Sequence, residues 1–254
     1  MTRASGTPAP GADLLADFAR DGYVVVSNLF DDEAVDRLQQ EMEDLQRAAS
    51  LGQLGAEHAG TMFLAPFEGE QPPYVHYVNG VTEISPAADA AFHHPRIVEL
   101  VTAILGRQMY LWDYNGHGVV YQDARPGQGM TYTRIGWHSD RQSRPTSDIW
   151  PGVAVTFHLD PTSPANGFLR VVPGSHLGSD EGMPLGFEKV PGEVGVYCDR
   201  GDVIIHHSDL WHSAARATED PPEGIRRHIR GTFLGGRRLT GDEQLEPFNK
   251  NAAR

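Results

Sequence analysis

The segment Gly136-Trp137-His138-Ser139-Asp140 places an imidazole and a carboxylate two residues apart in a chain of 254 residues. On an extended strand, side chains at i and i+2 point to the same face. A nitrogen of His138 and an oxygen of Asp140 can therefore reach one small ion together. Far downstream, Asp209-Leu210-Trp211-His212-Ser213-Ala214 offers a second imidazole at His212. Two histidines and one carboxylate on one face of an ion, with the remaining positions open, is the ligand set of non-haem Fe(II) oxygenases. On spacing alone, His206 or His207 could replace His212, and a His-x-Asp pair is a weak signal in a chain with 12 histidines. A second signal is the segment Gly224-Ile225-Arg226-Arg227-His228-Ile229-Arg230. A co-substrate with a free carboxylate needs a planar, bidentate cation at the pocket floor, and arginine supplies it. Alternation puts Arg226, His228 and Arg230 on one face of a strand, and Arg227 on the other, expected to be solvated. Asn166-Gly167-Phe168 through Pro173-Gly174-Ser175-His176 lies between the two ligand segments, with His176 read as a turn residue near the site.

These side chains need a scaffold. Asp13 to Arg20 reads as a short helix capped by Asp13, and Tyr23-Val24-Val25-Val26 as a buried strand. A second helix opens at Asp31-Asp32-Glu33, capped by Asp31, with Val35, Leu38, Met42 and Leu45 at helical spacing. Residues 50–86 show no clear period and carry several Gly and Pro together with Phe63, Phe67, Tyr74, His76 and Tyr77. A connection of that length is expected to be a lid or binding loop. Pro95 to Leu105 reads as a helix with Ile97, Leu100, Val101 and Ile104 as its stripe and Gly106 as its stop. Eight short strand-like segments follow: Met109–Tyr114, Gly118–Tyr121, Thr131–Trp137, Val153–Leu159, Phe168–Val172, Val194–Cys198, Val203–His206 and Ile225–Leu234. Their spacing suggests a mainly β fold with flanking helices, built as a sandwich or a jelly roll. The expected organisation is an unordered tail at 1–12, one domain over 13–236 and a polar tail over 237–254.

Composition narrows the partners. A net charge of −13 argues against nucleic acid. No apolar run approaches the length of a membrane span, and the first residues lack the apolar region of a secretory signal. The single cysteine, Cys198, removes disulfides and cysteine-based metal sites, which fits a cytoplasmic location. The expected partner is a small-molecule substrate.

Six segments, in order, carry a resemblance: DGYVVVSNLFDDEAVDRLQQEMEDL, HHPRIVELVTAILG, WHSD, NGFLRVVPGSH, GDVIIHHSDLWHSA and GIRRHIRGTF. Together they resemble the phytanoyl-CoA dioxygenase family of Fe(II)- and 2-oxoglutarate-dependent oxygenases, which includes ectoine hydroxylase. The resemblance implies a double-stranded β-helix, cupin-like in architecture. It also implies that His138, Asp140 and His212 bind Fe(II), that Arg226 grips the distal carboxylate of 2-oxoglutarate, and that O2 is the oxidant. Halogenating relatives lack the carboxylate, so Asp140 implies oxygen transfer, most simply hydroxylation. The family's hydroxyl residue two positions after the distal histidine is here Ala214, with Ser213 beside it as the remaining candidate. The spacing from His212 to Arg226 is stretched by Glu219-Asp220-Pro221-Pro222-Glu223, which leaves Arg230 as the alternative cation. Gln122 is a candidate hydrogen-bond donor to the co-substrate. Arg134, Tyr121 and Trp150 are candidates to meet the substrate, and Trp211 to line the mouth. The competing expectations are a cupin-like metalloenzyme that does not use 2-oxoglutarate, which has no need of the arginine strand, and a non-catalytic jelly-roll binding module, which has no need of the His and Asp.

Overall fold

The computed structural model describes residues 12–59, 63–64, 74–106, 109–111, 118–125, 135–140, 151–184, 186–219 and 223–235. The chain begins with helix α1 (Ala12–Asp21), strand β1 (Tyr23–Val26) and the long helix α2 (Asp32–Ser50). The Asp31 carboxylate accepts from the Ala34 amide and caps α2, and Val35, Leu38 and Met42 are buried along one face with Leu45 packed beside them. Next come β2 (Phe63–Leu64), β3 (Tyr74–Val75), β4 (Tyr77–Val78), and helices α3 (Val81–Ile84), α4 (Pro86–Phe92) and α5 (Pro95–Leu105). The remaining strands are β5 (Met109–Leu111), β6 (Val120–Ala124), β7 (Ile135–His138), β8 (Gly152–His158), β9 (Leu169–Val171), β10 (Val194–Val196), β11 (Val203–His207), β12 (His212–Ala214) and β13 (Arg226–Gly235). Each of the eight expected strand segments overlaps one of these strands, although β6 shares only Val120 and Tyr121 with its segment. No helix among the described residues is long and apolar enough to cross a membrane.

Several elements depart from the sequence expectation: α1 starts at Ala12, so that Asp13 sits inside its first turn and does not cap it, and β12 lies outside the eight expected strand segments. The span 50–86 is not a bare connection, because β4 near its end pairs with β6 inside the main sheet. Strands of two residues are too short to show a period. The middle of the expected lid, residues 60–62 and 65–73, lies outside the described residues, as do residues 1–11 and 237–254 of the expected tails. Helix α4 was also not anticipated. Ser85 caps it by accepting from the Ala88 amide, with Pro86 in its first turn, and Glu41 of α2 accepts from the Ser85 hydroxyl (2.5 Å) and the Ala87 amide (3.1 Å). That carboxylate sits at the positive end of α4 and ties it to α2.

The larger sheet runs β1-β11-β8-β13-β6-β4, with β5 also paired to β13, and the smaller runs β10-β9-β12-β7. All these pairs are antiparallel. The two sheets face each other across a cavity, the jelly-roll arrangement. Strand parity divides the larger sheet. Val153, Val155 and Phe157 of β8, Val203 and Ile205 of β11, and Ile229 and Phe233 of β13 join the apolar core with α2, α4 and α5. Their neighbours Ala154, Thr156, His158, Ile204, His206, Arg226 and His228 line the cavity. Gly231 leaves the room that Phe92 fills, since a Cβ there would lie 2.6 Å from its ring.

Arg227 is not solvated. It lies on the helix side of β13, half-buried, where its guanidinium grips Asp160 at 2.8 and 2.6 Å and pairs with Glu43 of α2. A planar fork matched to two carboxylates holds α2 against the sheet.

Two predictions follow from this packing. Phe92 is fully buried, 4.8 Å from Phe157 between ring centroids. Phe92→Ala should cost about 3–5 kcal/mol in a urea titration, since the rigid sheet below cannot refill the space. The second concerns pH. Burial pushes His158 down to about 3 and His76 to about 4, and takes His228 well below its ordinary value. Below about pH 6.5 the unfolded chain binds protons that these folded imidazoles refuse. Stability of the metal-free protein should therefore fall as pH drops from 6.5, by up to about 1.4 kcal/mol per pH unit for each imidazole that stays neutral. Equal urea midpoints at pH 7 and pH 5.5 would contradict this.

Candidate metal centre

His138 ends β7 and His212 begins β12, and the strand register sets them directly opposite. Their ring centroids are 4.1 Å apart. The Nδ1 of His138 lies 2.8 Å from the Gly136 carbonyl, and the Nδ1 of His212 lies 2.8 Å from the Leu210 carbonyl. A carbonyl oxygen can only accept, so each Nδ1 carries the proton and each Nε2 presents a lone pair. Burial, with His138 and His206 adding to it, pushes His212 down to about 3, which keeps it a neutral, ligand-ready base. Asp140 completes the cluster, its carboxylate 3.9 Å from the Nε2 of His212, and one donor atom from each of the three residues lies within 4.8 Å of the others.

The surroundings fix these side chains. Trp137, of opposite parity to His138, is buried on the other face, where its Nε1 donates to the Glu188 carbonyl at 2.8 Å and Arg170 stacks over its ring at 4.7 Å. Ser139 is fully buried and donates to Asp180 at 2.9 Å, which holds the turn between His138 and Asp140. His206 stands beside the cluster, its Nε2 3.7 Å from Asp140 and its ring 4.7 Å from that of His212. His207 has the opposite parity. It packs against Phe18 and His176, and its Nδ1 accepts from the Asp209 amide. Of the two imidazoles that sequence could not separate from His212, only His206 reaches the cavity.

The cavity between the sheets measures about 340 Å3. Arg226 lines it and is 6% exposed, with its Nε buried and without a hydrogen-bond partner. Burial lowers the guanidinium to about 10, so it remains a cation. An unpaired buried charge is costly, and a carboxylate is its natural complement. Arg230 also lines the cavity but is exposed, its guanidinium 5.7 Å from the centre of the Tyr77 ring. Gln122 is buried on the cavity wall, with its amide nitrogen 3.2 Å from the Nε2 of His76.

Other expected residues lie elsewhere. Ser213 does not line the cavity: its hydroxyl donates to the Ile135 carbonyl at 2.7 Å, and Ala214 takes the inward position. Alternation allows only one of the two to face in, and the hydroxyl is on the wrong one. Tyr121 is likewise absent from the cavity wall, because its parity sends it into the apolar core with α2. Trp211 and His176 do not line the cavity either. Arg134 and Trp150 lie outside the described residues. His158, Thr156 and Asn79, all on the cavity wall, carry no expectation in the sequence analysis, while Tyr77 was expected only as part of the lid. For the first two the signal was available: they share the parity of Ala154 and oppose that of Val153, Val155 and Phe157.

Comparison with known proteins agrees with this architecture. An ectoine dioxygenase of Nocardia farcinica is 29% identical over 168 residues, covering 65% of this chain and 51% of that protein. One of Bordetella parapertussis is 27% identical over 179 residues, covering 66% and 50%. The chain thus spans about half the length of the curated relatives it matches. The crystal structure of EctD from S. alaskensis with 2-oxoglutarate and 5-hydroxyectoine superimposes with a TM-score of 0.71 at 20% identity, over 98% of this chain and 87% of that one. Residues 18–222 match the family described as phytanoyl-CoA dioxygenase (PhyH), and a match over that much of the sequence places the chain in the phytanoyl-CoA dioxygenase family.

Proposed function

We propose that this protein is an Fe(II)- and 2-oxoglutarate-dependent oxygenase that oxidises an unactivated C–H bond of a small molecule. His138, Asp140 and His212 hold the iron, and Arg226 holds the distal carboxylate of 2-oxoglutarate. The observation that carries this reading is the pairing, in one cavity, of a three-donor cluster with a buried arginine whose Nε has no hydrogen-bond partner among the described residues. The donor set suits Fe(II), because two imidazoles and one carboxylate leave three positions for co-substrate and oxygen. A metalloenzyme without a co-substrate would leave Arg226 unexplained. The family match and the 2-oxoglutarate held by EctD support the same choice.

When bound, the iron and 2-oxoglutarate supply the oxidising chemistry: O2 is consumed, succinate and CO2 are released, and one oxygen atom enters the substrate bond. The chain binds, orients and excludes water. Carbonyl hydrogen bonds hold both imidazoles in the tautomer that offers Nε2. Arg226, buried in the cavity wall, orients the co-substrate from its far end. Arg230 lies four residues along the same strand, roughly 13 Å away, too far for one five-carbon dianion to use both arginines. It is exposed, and with Tyr77 and Asn79 it belongs to the substrate's side of the cavity. Ile135, Leu169 and Ile204 supply apolar wall. No side chain has to act as a general base.

The test is anaerobic metal uptake followed by 2-oxoglutarate binding and, with O2, succinate formation. One Fe(II) per chain is expected. Asp140→Ala should abolish substrate oxidation and weaken iron retention. Arg226→Leu should keep the iron and lose roughly a hundredfold or more in 2-oxoglutarate affinity, the scale of breaking a buried charge pair. Failure of the iron-loaded protein to bind 2-oxoglutarate would falsify the proposal.

A further inference from the structure

We propose that His158 and His228 are carboxylate-binding residues, which with Arg226 form a three-sided cradle for the distal carboxylate of the co-substrate. This rests on the oxygenase reading above and adds two positioning residues to it. His228 follows Arg226 by two residues on the cavity face of β13, and the register sets His158 of β8 directly beside His228. Their rings are 6.0 Å apart. Arg226, His158 and His228 are 6%, 5% and 7% exposed.

What marks this cluster is its unmet hydrogen bonding. Both ring nitrogens of His158, the Nδ1 of His228 and the Nε of Arg226 are buried without a partner. Each such atom costs about 1–3 kcal/mol if left unsatisfied, and proteins rarely gather several in one place. A ligand with several acceptor sites on one small group would meet them. A carboxylate has two oxygens with about four lone-pair sites, enough for an arginine fork and two imidazole N–H groups. Burial and the neighbouring Arg226 charge hold both imidazoles neutral. Each therefore donates one N–H without adding a positive charge that would repel Arg226. The wall's other donors, Tyr77, Asn79, Gln122, Thr156, His206, Arg230 and Thr232, do not share this cluster's combination of a buried guanidinium and two adjacent imidazoles. Asp140 is the single acid among the described lining residues, and Ile135, Leu169 and Ala214 on the facing sheet offer no side-chain donor.

The test compares two ligands on the Mn(II)-loaded protein by calorimetry. 2-Oxoglutarate carries the far carboxylate, and 2-oxopentanoate has a methyl group in its place. His158→Leu and His228→Leu should each weaken 2-oxoglutarate about tenfold or more and leave 2-oxopentanoate and metal uptake unchanged. His228→Gln, which keeps a donor, should recover most of the loss. Leucine variants that bind 2-oxoglutarate like the unaltered protein, or that weaken both ligands equally, overturn the cradle. A second measurement needs no variant. In 15N-histidine spectra of the Zn(II)-loaded protein, 2-oxoglutarate should shift the ring nitrogens of two imidazoles that 2-oxopentanoate leaves in place, and identical spectra with the two ligands overturn the idea. If the unaltered, metal-loaded protein does not bind 2-oxoglutarate, the oxygenase reading falls and the cradle with it. Binding that is indifferent to both histidines removes the cradle alone.

Discussion

The register between β7 and β12 is the constraint on which the site depends. It sets His212 opposite His138, so that two imidazoles separated by 73 positions in sequence meet at the end of one strand pair. A slip of one residue would turn every side chain on β12 to the opposite face. His212 would then leave the cavity, and Ser213 would enter. The pairing of β12 with β9 on its other edge, Ser213 opposite Arg170 and Ala214 opposite Leu169, holds the strand against that slip. The Ser213 hydroxyl bound to the Ile135 carbonyl adds a side-chain lock at the irregularity between His212 and Ala214. Ser213 thus serves the centre structurally, through the register, and from the side away from the cavity.

A polar cavity inside a domain has to be carried by packing elsewhere. The larger sheet does this by facing two environments. Its outer parity set, from Val153 through Phe233, is covered by α2, α4 and α5, and its inner set carries the histidines and arginines. The helices are in turn pinned to the sheet and to each other by charged contacts: Arg227 to Glu43 and Asp160, Glu41 to the start of α4. The two arginines at adjacent positions of β13 show how much parity decides. Arg227 is held by two carboxylates, which raises its basicity further. Arg226, one residue earlier, meets no carboxylate among the described residues and is lowered to about 10 by burial. Alternation already put them on opposite faces, but it did not show that Arg227's face meets two carboxylates.

Much of this could be read from residue types and spacing. The cap at Asp31, the stripe of α5 and all eight strand segments follow from local patterns that a short window contains. His138 and Asp140 were legible from their spacing of two, although β7 ends at His138 and Asp140 lies in the turn beyond it, not on the expected strand. His212 needed either the fold or the family resemblance, since His206 stands equally well on spacing. What escaped is instructive in kind. Helix α4 has Ser-Pro at its start, a signature strong enough to have been used. Tyr77 and Asn79 could not be placed, because β4 is two residues long and its pairing with β6 is non-local. Tyr121 and Ser213 were misjudged by one residue of parity, an error that inverts the environment of a side chain completely. His158 sat inside a correctly placed strand and was passed over because its apolar neighbours made the strand look like core alone.

The same unsatisfied groups that suit the cavity to a ligand also weaken the chain without one. Arg226, His158, His206 and His228 all hold buried nitrogens with no partner, close to one another and to the cluster of donors. Evolution for stability alone would replace them with apolar residues, which cost less to bury. The proposed ligands, a dication and a dianion, would supply the missing interactions on binding. Ligand and fold are then linked: whatever binds the folded state stabilises it by RT ln(1 + [L]/Kd), and the groups left unpaired in the free protein are those whose satisfaction drives that binding. The charge arrangement fits this view. The chain carries −13 overall, yet the described wall of the cavity has two arginines against a single acid, Asp140. With an acidic exterior, the inward arginines are a local reversal of sign, and such a pocket favours anionic ligands through its own field and not through the protein's net charge.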